Sequence, residues 1–80
     1  MRFMDNNGNR YASDTKVGLV YELYKRSWAK VHCIDIDEWV AKCELRIWEQ
    51  YDIRIEYKTY EDFIDELIRY SLIKEVNWYD

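Results

Sequence analysis

The sequence predicts an α+β fold of three helices and a small sheet. Apolar residues recur at helical spacing in three stretches, while a short alternating stretch and an early Asn-Gly pair are typical of strands. The predicted helices cover about 15–30, 35–51 and 59–71, and the predicted sheet combines a hairpin at 2–12 with a strand at 53–57 and an extended piece at 73–76. The 80 residues suffice for one compact domain, 1–80, around one core.

The first element, residues 2–12, is predicted to be a β-hairpin closed by Asn7-Gly8. That pair is preferred in two-residue type I′ turns because both turn positions need a positive φ. Such a turn would set Met4 opposite Tyr11. A plain loop is the alternative, since an isolated hairpin is barely stable unless another element covers it.

The first helix is predicted over 15–30, with Ser13 or Asp14 as its N-cap. Gly18 inside it costs about 1 kcal/mol relative to alanine, which indicates close approach of another backbone at that point. The apolar face of this helix extends over four turns. It is formed by Val17, Val20, Tyr21, Tyr24, Trp28 and Val31.

The helix predicted over 35–51 has the clearest start. Asp35 with Glu38 fits a capping box, and Ile34 with Trp39 fits a hydrophobic staple. The preceding connection is short, so the first two helices are expected to be antiparallel neighbours that share one apolar face. A second apolar face, here called the apolar strip, is formed by Ala41, Leu45 and Trp48. We expect the sheet to cover this strip, and a partner molecule is the alternative.

The last third of the chain begins with strict alternation at 53–57, which predicts a strand with its isoleucines on one side. Thr59 with Asp62 opens the third helix, 59–71, which has one apolar and one polar side. Its polar side carries an acidic face formed by Glu61, Asp62, Asp65 and Glu66. The piece at 73–76 can return to the sheet beside 53–57, followed by a tail at 77–80.

The charge balance argues against nucleic-acid binding. The net charge is −4, and from residue 56 onward the chain has seven acidic and three basic residues. Phosphate neutralisation is the main contribution to nucleic-acid affinity, so an acidic chain is poorly suited to it. A helix-turn-helix interpretation would point Asp35, Asp37 and Glu38 at phosphates. Stacking of single strands on Tyr57 beside Arg54 would be weakened by the acids around them.

Catalytic and metal-binding patterns are missing from the sequence, so we predict a non-enzymatic protein with no cofactor, no metal and no small-molecule substrate. His32 is the single histidine, and adjacent side chains such as His32 and Cys33 rarely face each other. His32, Cys33 and Cys43 lack the close ligand pairs of a structural zinc site. Only two cysteines, no signal peptide and no apolar run of about 20 residues predict a cytoplasmic protein without membrane contact.

The remaining interpretation is a protein-binding module with two candidate surfaces, the apolar strip and the acidic face. In its size, its lack of proline and its aromatic and acidic composition, the chain resembles small phage-encoded proteins that bind and inhibit host machinery. This resemblance implies an inhibitor or accessory protein acting on a larger macromolecular machine. The alternative is a homo-oligomeric structural or regulatory protein in which the apolar strip meets its symmetry mate. Nucleic-acid binding is the third hypothesis.

Overall fold

A computed structural model describes residues 1–76, apart from the side chains of residues 28 and 29, so the tail predicted at 77–80 lies outside the described residues. In this range the chain forms a three-stranded antiparallel sheet and three α-helices, which confirms the α+β class. The elements are β1 (Arg2–Asp5), β2 (Arg10–Ala12), α1 (Lys16–Arg26), a 3₁₀ helix (Trp28–His32), α2 (Ile36–Tyr51), α3 (Tyr60–Arg69) and β3 (Ile73–Glu75).

The sheet has β1 at its centre, with β2 on one edge and β3 on the other. The extended piece predicted at 73–76 joins the sheet as β3, but it lies beside β1 and not beside 53–57 as expected. The strand predicted at 53–57 is wrong, because residues 52–57 form no strand. Both edges of β1 are already occupied, so a further strand has no place beside it. The alternation at 53–57 instead reflects burial, with Ile55 in the core between the exposed Arg54 and Glu56.

The predicted hairpin forms, but its register is shifted by one residue. Phe3 lies opposite Tyr11, where Met4 was expected. The loop has three residues, 6–8, and Gly8 at its end has a φ of 84°. The Gly8 N–H donates to the carbonyl of Asp5 at 3.2 Å. A turn followed by a left-handed glycine is a common three-residue hairpin loop, and it replaces the predicted type I′ turn.

The carboxylate of Asp5 explains the longer loop. It accepts hydrogen bonds from the backbone N–H of Asn7 at 2.9 Å and of Asn9 at 3.0 Å. The Asn9 side chain and the Tyr11 hydroxyl also donate to it, each at 3.0 Å. Burial alone would raise the pKa of Asp5, but hydrogen bonds from Asn9, Asn7 and Tyr11 outweigh it and leave that pKa lowered. The charged carboxylate thus organises the loop.

Each of the three described α-helices begins at a side-chain cap. Thr15, Asp35 and Thr59 accept a hydrogen bond from the backbone N–H three residues later, at 2.9, 2.9 and 3.1 Å. The predicted caps at Asp35 and Thr59 are confirmed. At α1 the cap is Thr15, whereas Ser13 or Asp14 was expected. These caps satisfy backbone donors that have no partner inside the helix.

The start of α1 also explains Gly18. A Cβ at this position would contact Ser13 Oγ too closely and would lie 3.1 Å from Thr15 Oγ1. Ser13 Oγ is held in place because it donates to the carbonyl of Thr15 at 2.8 Å. The close approach expected at Gly18 therefore comes from the side chains of Ser13 and the N-cap Thr15, and not from another backbone.

The connection between α1 and α2 differs from the prediction. α1 ends at Arg26, and the chain continues as the 3₁₀ helix through His32. The Asp35 half of the predicted capping box forms, but the Glu38 carboxylate accepts from the N–H of Ile34 at 3.4 Å and not from that of Asp35, so the reciprocal bond is shifted by one residue. The predicted hydrophobic staple is wrong, because Ile34 is 90% exposed while Trp39 is buried. The 3₁₀ turn leads into α2 with Ile34 facing solvent.

The core lies between the sheet, α1 and α3. α1 packs mainly against α3, and β2 and β3 rest on α1 and α3 respectively. The expected contact between α1 and α2 is smaller and includes an edge-to-face pair of Tyr24 and Trp39, with ring centroids 5.7 Å apart. The buried residues are Phe3, Leu19, Val20, Trp39, Val40, Ile55, Phe63, Ile64, Leu67 and Ile73. α2 contributes only its first turns to this set, so most of its length is peripheral.

α3 ends in a Schellman motif that redirects the chain into β3. The Leu72 N–H donates to the carbonyl of Leu67 at 2.9 Å, and the Ser71 N–H donates to that of Ile68 at 3.0 Å. Ser71 takes the left-handed position with a φ of 60°. Glycine is preferred there because a Cβ crowds the following carbonyl. Ser71 therefore carries backbone strain.

Candidate functional site

An open groove of about 480 Å³ lies between α2 and the segment that follows it. We call it the α2 groove. It is lined by Ala41, Glu44, Leu45, Trp48, Arg54, Ile55 and Glu56. All three residues of the apolar strip therefore border one concave surface, together with residues 54–56. Concave surfaces with apolar walls and a few charged groups are the usual form of binding sites.

The apolar strip is not covered by the sheet, so that expectation is wrong. Leu45 is 50% exposed and Trp48 is 45% exposed. The close backbone contacts of α2 are with α1 and the 3₁₀ helix, whereas the strands rest on α1 and α3. The second face of α2 is therefore open to solvent along the groove.

A sharp turn at the end of α2 places Arg54 beside the strip. Asp52 adopts the left-handed conformation, with a φ of 55°, and its N–H donates to the carbonyl of Trp48 at 2.9 Å. The chain then turns back, and the Arg54 guanidinium lies 4.8 Å from the centre of the Trp48 ring. This cation–π contact leaves the ring half-exposed and adds a positive charge to the groove.

Residues 53–57 pack against the core through their side chains. Ile55 is 1% exposed, and the Tyr57 ring meets Phe63 edge-to-face with centroids 5.3 Å apart. Within residues 1–76, however, the backbone of 53–57 makes no hydrogen bond to other backbone groups. Backbone N–H and C=O groups need partners, and no other backbone group among residues 1–76 supplies them here.

The acidic face of α3 is partly neutralised within the molecule. Lys16 of α1 bonds to Asp65 at 2.5 Å, and Arg69 lies 3.7 Å from Glu66. The hydrogen bond to Asp65 raises the pKa of Lys16. Asp62 accepts from the backbone N–H of Lys58 at 3.3 Å, as part of the helix start. The face therefore serves the α1–α3 contact and the helix start as well as presenting charge.

Contacts of Tyr60 join the starts of α2 and α3. Its hydroxyl donates to the carboxylate of Asp37, and its ring meets Tyr21 edge-to-face with centroids 6.2 Å apart. Burial, the hydrogen bond to Asp37 and the nearby negative charges raise the pKa of Tyr60. Beyond this link, the structure does not bring the acidic face and the apolar strip into one site, because α2 and α3 share no close backbone contact.

A second cleft, of about 470 Å³, opens between α2 and α3 beside the hairpin loop. Its floor is formed by core residues, including Trp39, Phe63 and Leu67, and charged groups such as Arg46 stand at its rim. Sequence reasoning missed this cleft, because it arises from the separation of two helices. The helical periodicity of α2 and α3 contains no signal for that separation.

The thiol of Cys43 lines this second cleft and has little nucleophilic character. Burial raises its pKa to about 11, against a small opposing effect of Arg46. The thiolate is the reactive form, so little of it is present at neutral pH. Neither Cys33 nor Cys43 forms a disulfide. His32 lies exposed in the 3₁₀ helix, and the three residues do not form a cluster that could hold a metal ion.

The part of the chain that the structure describes contains no group of three or more acidic, histidine or cysteine side chains placed to bind a metal ion. None of its helices combines the length and the apolar character needed to cross a bilayer. No protein-family model matches the chain, and no curated protein or solved structure shows significant similarity to it.

Proposed function

We propose that this chain is a non-enzymatic protein-binding module that uses the α2 groove to hold a segment of another polypeptide. The observation that carries the proposal is the exposure of Leu45 and Trp48 along a groove whose other wall, 53–57, has backbone groups without protein partners among residues 1–76. Tryptophan and arginine dominate the binding energy of many interfaces, and Trp48 with Arg54 supplies both at one point.

The α2 groove is a better candidate than the acidic face. Asp65 and Glu66 already have cationic neighbours in Lys16 and Arg69, so a basic partner would have to compete with them. A peptide in the groove would instead cover apolar surface and satisfy backbone groups, both of which favour association. We therefore propose the acidic face as a secondary surface that steers a partner of opposite charge.

The proposed biological role is that of a cytoplasmic inhibitor or accessory protein that acts on a larger macromolecular machine. A chain with only two cysteines, neither of them in a disulfide, supports a reducing compartment. The half-exposed aromatic surface supports attachment to a larger partner, since apolar side chains around a groove commonly mark interaction sites.

Affinity capture from extracts of the source cells tests this proposal. A bait carrying both Leu45→Glu and Trp48→Glu should lose the partner that the wild-type bait retains. Tyr51→Ala is the matched control, because Tyr51 is an equally exposed aromatic residue on α2 outside the groove. Circular dichroism checks that each bait is folded. Capture that survives in the double variant would show that the groove is not the binding surface.

A further inference from the structure

We propose that the α2 groove accepts the segment 53–57 of a second copy of this chain, so that the two segments pair as antiparallel strands about a twofold axis at Ile55. This inference rests on the proposed binding function of the groove and names its occupant. The pairing would turn a segment that has no strand beside it among residues 1–76 into a two-stranded ribbon.

The first support is the state of the segment itself. It has the alternation of a β-strand, with Ile55 buried and Arg54 and Glu56 exposed. In the part of the chain that the structure describes, it nevertheless has no strand beside it and no backbone hydrogen bonds. An open strand edge pairs readily with a strand from another chain, through its regular row of N–H and C=O groups.

The second support is the charge pattern, which matches itself in one register. When Ile55 lies opposite Ile55, Arg54 of each copy lies opposite Glu56 of the other. Directly opposite side chains on an antiparallel pair have Cβ atoms about 5 Å apart, close enough for oppositely charged residues to attract. The dimer would therefore contain this Arg–Glu pair twice, once on each side of the axis.

Neighbouring registers are disfavoured by the same charges. A slip of two residues in one direction sets Arg54 opposite Arg54 and Asp52 opposite Glu56. A slip of two in the other direction sets Glu56 opposite Glu56 and Arg54 opposite Lys58. A slip of one residue exchanges the faces of one strand, so that Arg54 would oppose the inward-facing Ile55. Only the register centred on Ile55 combines matching faces with opposite charges.

The third support is the space beside the segment. The groove holds about 480 Å³ and is open to solvent, with residues 54–56 forming one of its walls. A paired strand lies about 4.8 Å from its neighbour, so a second segment along this wall would enter the groove. It would then lie over Leu45 and Trp48, which the monomer leaves about half-exposed.

Two charge-reversed variants test the inference by sedimentation velocity, read at protein concentrations from low micromolar to near millimolar. Wild type should dimerise, and Glu56→Arg and Arg54→Glu should each weaken self-association by about tenfold or more, because both charge pairs become repulsive. An equimolar mixture of the two variants should form a heterodimer, since every pair in it is again Arg opposite Glu. Glu49→Arg is the matched control, because Glu49 is an exposed acid on α2 outside the groove and should leave the dimer unchanged.

The double variant Arg54→Glu with Glu56→Arg is a second test that does not depend on mixing. It exchanges the two charges within one chain, so it should dimerise within about threefold of wild type if cross-strand pairs set the register. Circular dichroism confirms folding of each variant. Arg54→Glu and the double variant both lose the contact of Arg54 with Trp48. A difference in dimerisation between these two variants therefore reflects the cross-strand charge pairs and not the lost contact.

Three results would each overturn the inference: a wild type that stays monomeric, single variants that still dimerise, or a mixture and a double variant that do not regain the dimer. The proposed binding function would survive a monomeric wild type if capture of another protein still depended on Leu45 and Trp48. Absence of both self-association and groove-dependent capture would defeat the two proposals together.

Discussion

Replacing Ile55 with alanine tests whether one side chain holds the segment 53–57 onto the core. Ile55 is 1% exposed, so nearly all of its side chain is removed from water. The substitution deletes three carbons, and at about 0.8 kcal/mol each the transfer contribution is about 2.4 kcal/mol. The cavity left behind adds to this, although the groove beside the segment allows some relaxation. We expect a total loss of about 3 kcal/mol, within the usual range for such changes in a core.

Urea unfolding followed by tryptophan fluorescence and circular dichroism measures this loss. A domain of this length has a total unfolding free energy of about 4–12 kcal/mol, so the variant should remain folded and measurable. All proteins are compared at one fixed concentration, because self-association would add a concentration-dependent contribution. Ile55→Val should cost about 1 kcal/mol and provides an intermediate point.

Lys58→Ala is the matched control, since Lys58 is exposed and directly follows the segment. This substitution should change the unfolding free energy by no more than about 0.5 kcal/mol. A loss below about 1 kcal/mol for Ile55→Ala would refute the reasoning. It would mean that the segment is held by its other contacts, such as that of Tyr57 with Phe63.

Three further predictions concern single residues. Ser71→Gly should raise the unfolding free energy by about 1 kcal/mol in urea denaturation, because glycine occupies the left-handed position without strain. Asp5→Asn should make the unfolding free energy depend less on pH under acidic conditions. The folded pKa of Asp5 lies below its ordinary 3.8, so the ionised carboxylate stabilises the fold above pH 3.8, and this stabilisation is lost as the pH falls through the folded pKa. Cys43 in the native chain should react with iodoacetamide more slowly, by about tenfold or more, than in the unfolded chain, because burial raises its pKa from 9.0 to about 11 and lowers the fraction of thiolate.

Each of these predictions has a control and a contrary outcome. Ser71→Ala keeps a Cβ in the left-handed position, and an equal gain from alanine would show that strain is not the cause. Unfolding of wild type and Asp5→Asn from about pH 3 to pH 7 should show a difference that grows with pH, and a constant difference would contradict the sign given. A Cys33→Ser background isolates Cys43, and mass spectrometry showing equally fast alkylation in the native and unfolded states would exclude protection by burial.

The features predicted correctly from the sequence depend on short-range interactions. The caps at Asp35 and Thr59 each involve a backbone group three residues away, so residue type and spacing suffice to locate them. The amphipathic periodicity of the three helices is equally local. The end predicted for the first helix, about residue 30, was wrong, because the apolar periodicity continues past Arg26 into residues that form a 3₁₀ helix.

The features predicted wrongly depend on which elements meet. Alternation at 53–57 identified a segment with one buried side, but alternation does not show which strand, if any, lies alongside, and the two neighbours of β1 are β2 and β3. The hairpin register follows from hydrogen bonds to Asp5 that an Asn-Gly pair alone does not reveal. The apolar strip was recognised from sequence, whereas its exposure depends on where the sheet lies, and helical periodicity carries no information about that.

The position of β1 at the centre of the sheet affects how the chain folds during synthesis. β1 is made before one of its two neighbours, β3, which lies far later in the sequence, with Phe3 opposite Glu75. A nascent chain therefore holds an N-terminal hairpin with one open edge until residues 73–75 have left the ribosome. Pairing between such distant positions slows folding, because a long loop must close before any contact compensates for its entropy. We expect the sheet to close after synthesis of the whole described region, as the last event that commits the chain to its core.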